Sequence, residues 1–72
     1  MERRLVEALR HVRDGEIHVR RQRRIVEALR EDGHNTATAL EILGAFEWSL
    51  TLHRSHLAQV LANRHTALVR SG

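Results

Sequence analysis

The chain has no cysteine, no proline, no lysine and no tyrosine, and only four glycines in 72 residues. Without cysteine there is no disulfide and no thiolate metal site. Without proline, and with so little glycine, long helices meet few interruptions. No apolar run approaches the roughly 20 residues that a membrane span needs. The opening Met1-Glu2-Arg3-Arg4 leads into no apolar core of the kind a secretory signal carries. A cytoplasmic, all-α protein is the expectation. At 72 residues it forms one domain at most, near the size at which a single chain buries barely enough surface to stand alone.

Positive charge is present but modest. Twelve arginines face nine acidic residues, for a formal net charge of +3. Arginine without lysine, among much alanine, leucine and valine, is what GC-rich coding favours whatever the function. The basic character alone therefore does not indicate a polycation.

What the sequence does have is a pair of heptad stripes. Leu5, Val12, Val19 and Val26 are spaced seven apart, and the companion positions fall on Ala8, Gly15, Gln22 and Leu29. A seven-residue repeat in a 3.6-residue helix drifts by about 20° per heptad, which implies a left-handed supercoil. Leu43, Leu50 and Leu57 repeat the spacing further on, within a seam of Ala39, Leu43, Phe46, Leu50, His53, Leu57 and Val60, flanked by Ile42, Leu61 and Leu68. Between the stripes lies Glu31-Asp32-Gly33-His34-Asn35. Gly33 suits the left-handed position after a helix, and Asn35, Thr36 or Thr38 can cap the next one, the last in a capping box with Glu41.

The reading is a long antiparallel two-helix hairpin, all-α, with helices over 2–31 and 36–69 joined by a turn at 32–35. The last residues are expected to fray, and the length to be about 45–50 Å. Folding about Gly33–Asn35 pairs Val26 with Leu43, Val19 with Leu50, Val12 with Leu57, Gln22 with Phe46 and Gly15 with His53. The missing side chain of Gly15 would then make room for the His53 imidazole. Arg3–Glu7, Arg10–Asp14, Glu16–Arg20 and Arg23–Glu27 sit four apart and are expected to stitch the outside of the first helix, each for about 0.3 kcal/mol. The octapeptide at 3–10 recurs at 23–30 with Ile25 in place of Leu5. A shift of 20 residues turns a helix by roughly 200°, so the copies cannot share a face and form no structural repeat.

Three groups of residues are candidates for function. Trp48 lies nearly opposite the seam of the second helix with Ala45 and Leu52 beside it, and Leu40, Ala58, Ala62 and Val69 fill the shoulders. A helix apolar on several sides is normally buried on several sides. The expectation is a homodimer through Ala45, Trp48 and Leu52, two hairpins forming a four-helix bundle. Arg20, Arg21, Arg23 and Arg24 make the one basic cluster, able to contact phosphates of a nucleic acid; Glu16 and Glu27 partly neutralise it, and no aromatic residue interleaves it. His53 and His56, three apart, are the metal alternative, although neither a His-Glu-x-x-His nor a paired Glu-x-x-His signature is present. Ser49, Thr51, Ser55 and Thr66 lack a neighbouring base–acid pair, and no glycine-rich phosphate loop exists. No catalytic residue or cofactor is expected.

One resemblance extends from Gly15 onward. Gly15, Arg21, Gln22, Arg23, Leu29, the run Gly33-His34-Asn35-Thr36, Ala39, Leu43, and the pair His53 and His56 resemble a group of short, uncharacterised bacterial helical proteins, over roughly 45 of the 72 residues. It implies the hairpin and no established activity. The functional expectation is a non-enzymatic, self-associating helical module that regulates or scaffolds. A nucleic-acid binder using the arginine row is the alternative, and a histidine-based metal-binding bundle the third.

Overall fold

The computed structural model describes residues 2–71 and consists of two antiparallel helices, α1 (Arg3–Glu31) and α2 (Ala37–Ser71), with no strand among the described residues. Both helix starts are set by local chemistry. α1 starts at Glu2, whose carboxylate accepts from the backbone N–H groups of Arg4 (2.8 Å) and Leu5 (3.3 Å). These are donors that a first helical turn otherwise leaves unpaired, and a negative charge there complements the helix dipole. α2 begins with the Ala37 N–H donating to Asn35 Oδ1 at 2.8 Å, and the first helical bond runs from Leu40 N–H to the Thr36 carbonyl at 2.9 Å. The start is thus where the sequence places it, but the cap is Asn35 with Thr36. Thr38 lies inside the first turn, and no capping box forms with Glu41.

Gly33 ends α1 with φ +74°, and two backbone bonds close the end: Gly33 N–H to Arg30 O at 3.1 Å and His34 N–H to Leu29 O at 2.8 Å. This crossed pair is the Schellman arrangement, which satisfies two otherwise orphaned carbonyls and reverses the chain at once. His34–Thr36 then continue without helical bonding before α2 begins. Three non-helical residues, rather than a symmetric turn centred on Gly33, thus separate the closure of α1 from the start of α2.

The register between the helices is consequently displaced by about one turn. Gly15 lies against Leu50, not His53: a Cβ at Gly15 would stand 3.1 Å from Leu50 Cδ1 and 3.7 Å from Leu50 Cα. His53 instead meets His11, and Phe46 meets His18 in place of Gln22. The positions named for the seam are nevertheless the ones that turn inward. Leu5, Ala8, Gly15, Val19, Gln22 and Val26 of α1 are buried, with Val12 and Leu29 half-buried; Ala39, Leu50 and Val60 of α2 are buried, with Leu43, Phe46, His53 and Leu57 half-buried. A one-turn slide keeps the stripe facing inward while changing each partner.

Gln22 is the single buried polar side chain in the described core, and its Nε2 donates to the Ala39 carbonyl at 3.0 Å. A buried amide without an acceptor costs about 1–3 kcal/mol, so Gln22 favours the register that supplies one. Leu5 is buried while its counterpart in the recurring octapeptide, Ile25, is about half exposed. The two copies do show different faces.

The displacement also lengthens the molecule. Leu5 and Ala8 pack on Val60, so the rest of α2 runs on past the start of α1. The longest dimension is 61 Å, beyond the expected hairpin, and every residue from 61 to 70 is exposed. Helical structure persists through Arg70 and Ser71 where fraying is expected from the sequence.

At Gly15 the helices leave little room for a side chain: a Cβ there requires the Leu50 methyl to give way by a few tenths of an ångström. Gly15→Leu raises intrinsic helix propensity, yet it forces the helices apart at Leu50. We predict a net loss of about 1–3 kcal/mol, measured by urea denaturation. An unchanged or raised midpoint would show that Gly15 does not set the approach.

Candidate functional site

The hairpin presents four distinct surfaces: two edges along the seam and the outer face of each helix. One edge is ion-paired. Arg23 Nη2 lies 3.5 Å from Glu47 Oε2, and Arg54 Nη2 lies 3.6 Å from Glu16 Oε2. The two pairs cross the seam in opposite senses and frame an open groove floored by Val19 and Leu50, with Arg20 and Thr51 on its rim. Of the four ion pairs expected along α1, only Arg3–Glu7 forms, at 3.4 Å. Glu16 turns to Arg54 instead of Arg20, Arg23 turns to Glu47 instead of Glu27, and Arg10 and Asp14 make no pair among the described residues. The physical reason is proximity to the seam: Glu16 and Arg23 sit at its margin, where a partner on α2 is as near as one on α1.

The other edge carries histidines. The rings of His11 and His53 are 5.1 Å apart and tilted by 43°, and His18 stacks on Phe46 at 5.2 Å and 15°. A sequence reading limited to intervals within one helix pairs His53 with His56. The fold separates their roles, since His53 faces α1 half-buried while His56 is exposed. Among the described residues no group of three or more histidine or carboxylate side chains converges as a cation site would require.

The outer face of α1 is arginine-rich. Arg20, Arg21, Arg23 and Arg24 do not form one row. At about 100° per residue, Arg23 swings toward the ion-paired edge while the other three stay outside. Arg10 and Arg13 join them there, so five arginines occupy an arc of roughly 100° opposite the seam. All five are exposed and none has an ion pair among the described residues. Arg10 and Arg13 were readable from sequence by the same periodicity that finds the seam, applied to the opposite side. Pairing Arg10 with Asp14 hides them.

The outer face of α2 is apolar. Trp48 is 65% exposed and Leu52 51%. Ala45 is exposed next to them, and a Cβ placed on the neighbouring Gly44 would meet nothing within 4 Å. Seven of the nine exposed large apolar side chains belong to α2: Trp48 and Leu52 on this face, Leu40 and Val69 at its shoulder, and Ile42, Leu61 and Leu68 beside the seam. No helix among the described residues is long and apolar enough to cross a membrane.

Two of the hydroxyls are turned back onto the backbone. Thr51 Oγ1 donates to the Glu47 carbonyl and Thr66 Oγ1 to the Ala62 carbonyl, both at 3.0 Å, a bond back to the helix's own backbone that occupies the donor proton. No family, curated protein or solved structure matches this chain. The four surfaces therefore carry the functional argument by themselves.

The paired edge tests how far electrostatics hold the register. All four side chains are about half exposed, so each pair contributes at most about 1 kcal/mol. Glu16→Gln with Glu47→Gln is expected to lower stability by less than about 2 kcal/mol at low salt, and by less still at high salt, where exposed charges are screened. A complete loss of helicity by circular dichroism would mean that ion pairing, not apolar packing, holds the seam.

Proposed function

We propose that this chain is a non-enzymatic, self-associating helical module whose partner surface is the outer face of α2. The observation that supports this reading is Trp48: it is 65% exposed and points away from α1. Complete burial of a Trp and a Leu side chain is worth roughly 4–5 kcal/mol before ordering costs, and less where each is already partly covered. Trp is also the residue most often found as an anchor at the centre of an interface. Small residues surround this one. Gly44 and Ala45 leave open space beside the indole, so a second helix can come close.

A second copy of the chain is the economical occupant. Soluble oligomers are most often two-fold dimers in which one patch meets itself, and an apolar stripe centred on one Trp is self-complementary in that sense. Two hairpins joined through α2 give a four-helix bundle with α2 helices inside and α1 helices outside. Such an arrangement buries the apolar outer faces and leaves the arginines of α1 in water. A scaffolding or regulatory role suits it, because the fold offers rigid faces at its ends and edges rather than an enclosed cleft.

Light scattering tests the dimer. The expected mass is about twice the 8.3 kDa of one chain, with Trp48→Ala and Leu52→Asp giving monomers that retain helical circular dichroism. Trp48 emission is expected to shift toward the blue as protein concentration rises through the association range. A concentration-independent mass of one chain would refute self-association and leave the Trp48 face to a different protein.

A further inference from the structure

We propose that the outer face of α1 binds the phosphate backbone of duplex DNA, without reading its sequence. The inference stands apart from dimerisation, because the face concerned lies on the opposite side of the hairpin from Trp48.

Its basis is a sorting of charge that the fold performs. Glu16 is drawn across the seam to Arg54, and Arg23 is drawn to Glu47. Those contacts remove one carboxylate and one guanidinium from the outer surface of α1. They leave Arg10, Arg13, Arg20, Arg21 and Arg24 exposed and without an ion pair among the described residues, with Asp14 and Glu27 the acidic side chains at the two margins of their arc. From Arg10 to Arg24 the face is about 21 Å long. A duplex of that length carries about 12 phosphate charges, at one per roughly 1.7 Å of axis.

Geometry favours a duplex groove over a flat surface. The arginines spread over about 100° of the helix circumference, which directs guanidiniums to both walls when a helix lies in a major groove about 12 Å wide. Guanidinium forks also match phosphate oxygens in pairs. No Asn or Gln side chain lies among residues 10–21 on this face, so the usual bidentate reader of adenine is missing. An anionic membrane fits less well. A helix lying in a bilayer interface needs apolar side chains beside its basic ones. Here the central apolar residue of the face, Ile17, is half-buried, and the exposed Trp48 and Leu52 point the other way.

The test is fluorescence anisotropy with a labelled random-sequence DNA duplex, titrated with salt. Binding is expected to weaken about 500-fold between 50 and 200 mM salt, following a log–log slope of about −4.5 for five phosphate contacts. Arg13→Ala with Arg20→Ala should reduce that slope by about 2. The charge-matched pair Arg64→Ala with Arg70→Ala, on α2 and outside the ion-paired edge, should leave the slope unchanged. Circular dichroism confirms the fold of each variant. Absence of duplex binding at 50 mM salt would overturn the proposal, as would equal losses in the two double variants, which would report net charge alone. Binding to phosphatidylserine-containing vesicles without binding to duplex would overturn it in favour of a lipid surface.

Discussion

The relative position of the two helices along their common axis is the constraint on which the other features rest. It is fixed at three points. The Schellman closure at Gly33 reverses the chain immediately, and His34–Thr36 carry it back alongside α1. Gly15 receives Leu50 where a large side chain would hold the helices apart. Gln22 has an acceptor for its buried amide only when the first turn of α2 lies beside it. Heptad packing by itself tolerates sliding by a turn, because apolar side chains replace one another at little cost. The polar contact and the missing side chain remove that freedom, much as a buried polar residue fixes register in coiled coils.

From this register follows the distribution of charge. Glu16 and Arg23 lie at the margin of the seam, and each finds a partner of opposite sign on α2. The arginines farther round α1 keep theirs free among the described residues. Because α2 has few charged residues to place outward, the molecule is two-faced: basic on the outside of α1, apolar on the outside of α2. The same displacement carries α2 past the start of α1 and exposes Leu61, Leu68 and Val69. The two proposed partners, a second copy of the chain and a duplex, would thus meet opposite sides of the hairpin.

Much of the architecture was legible in the sequence, because it depends on periodicity. Leu5, Val19, Val26 and Leu50 announce themselves by spacing, and Gly33 by its place between two stripes. The inward direction of Gly15 and Gln22 follows from the same count. Partners across the seam were not legible, since pairing depends on how many residues the connection spends outside helical form, and Asn35–Thr36 and Thr38 offered rival helix starts. Salt bridges misled for a related reason. Spacing of four shows which charges can meet within a helix, but Glu16 and Arg23 are decided by the neighbouring helix. The exposed position of Trp48 was legible from its angle to the seam, and the arginine face was legible from the same periodicity once Arg10 was not paired with Asp14 and Glu16 was drawn to Arg54. The pairing of His11 with His53 and of His18 with Phe46 had no local signal at all.

Nuclear Overhauser contacts in solution test the register most directly. In the arrangement described, the Leu50 methyl protons give cross-peaks to the Gly15 α-protons, and the His11 ring protons give cross-peaks to those of His53. Cross-peaks from the His53 ring to the Gly15 α-protons, with none from Leu50, would place α2 one turn away. That result would contradict the account at its foundation.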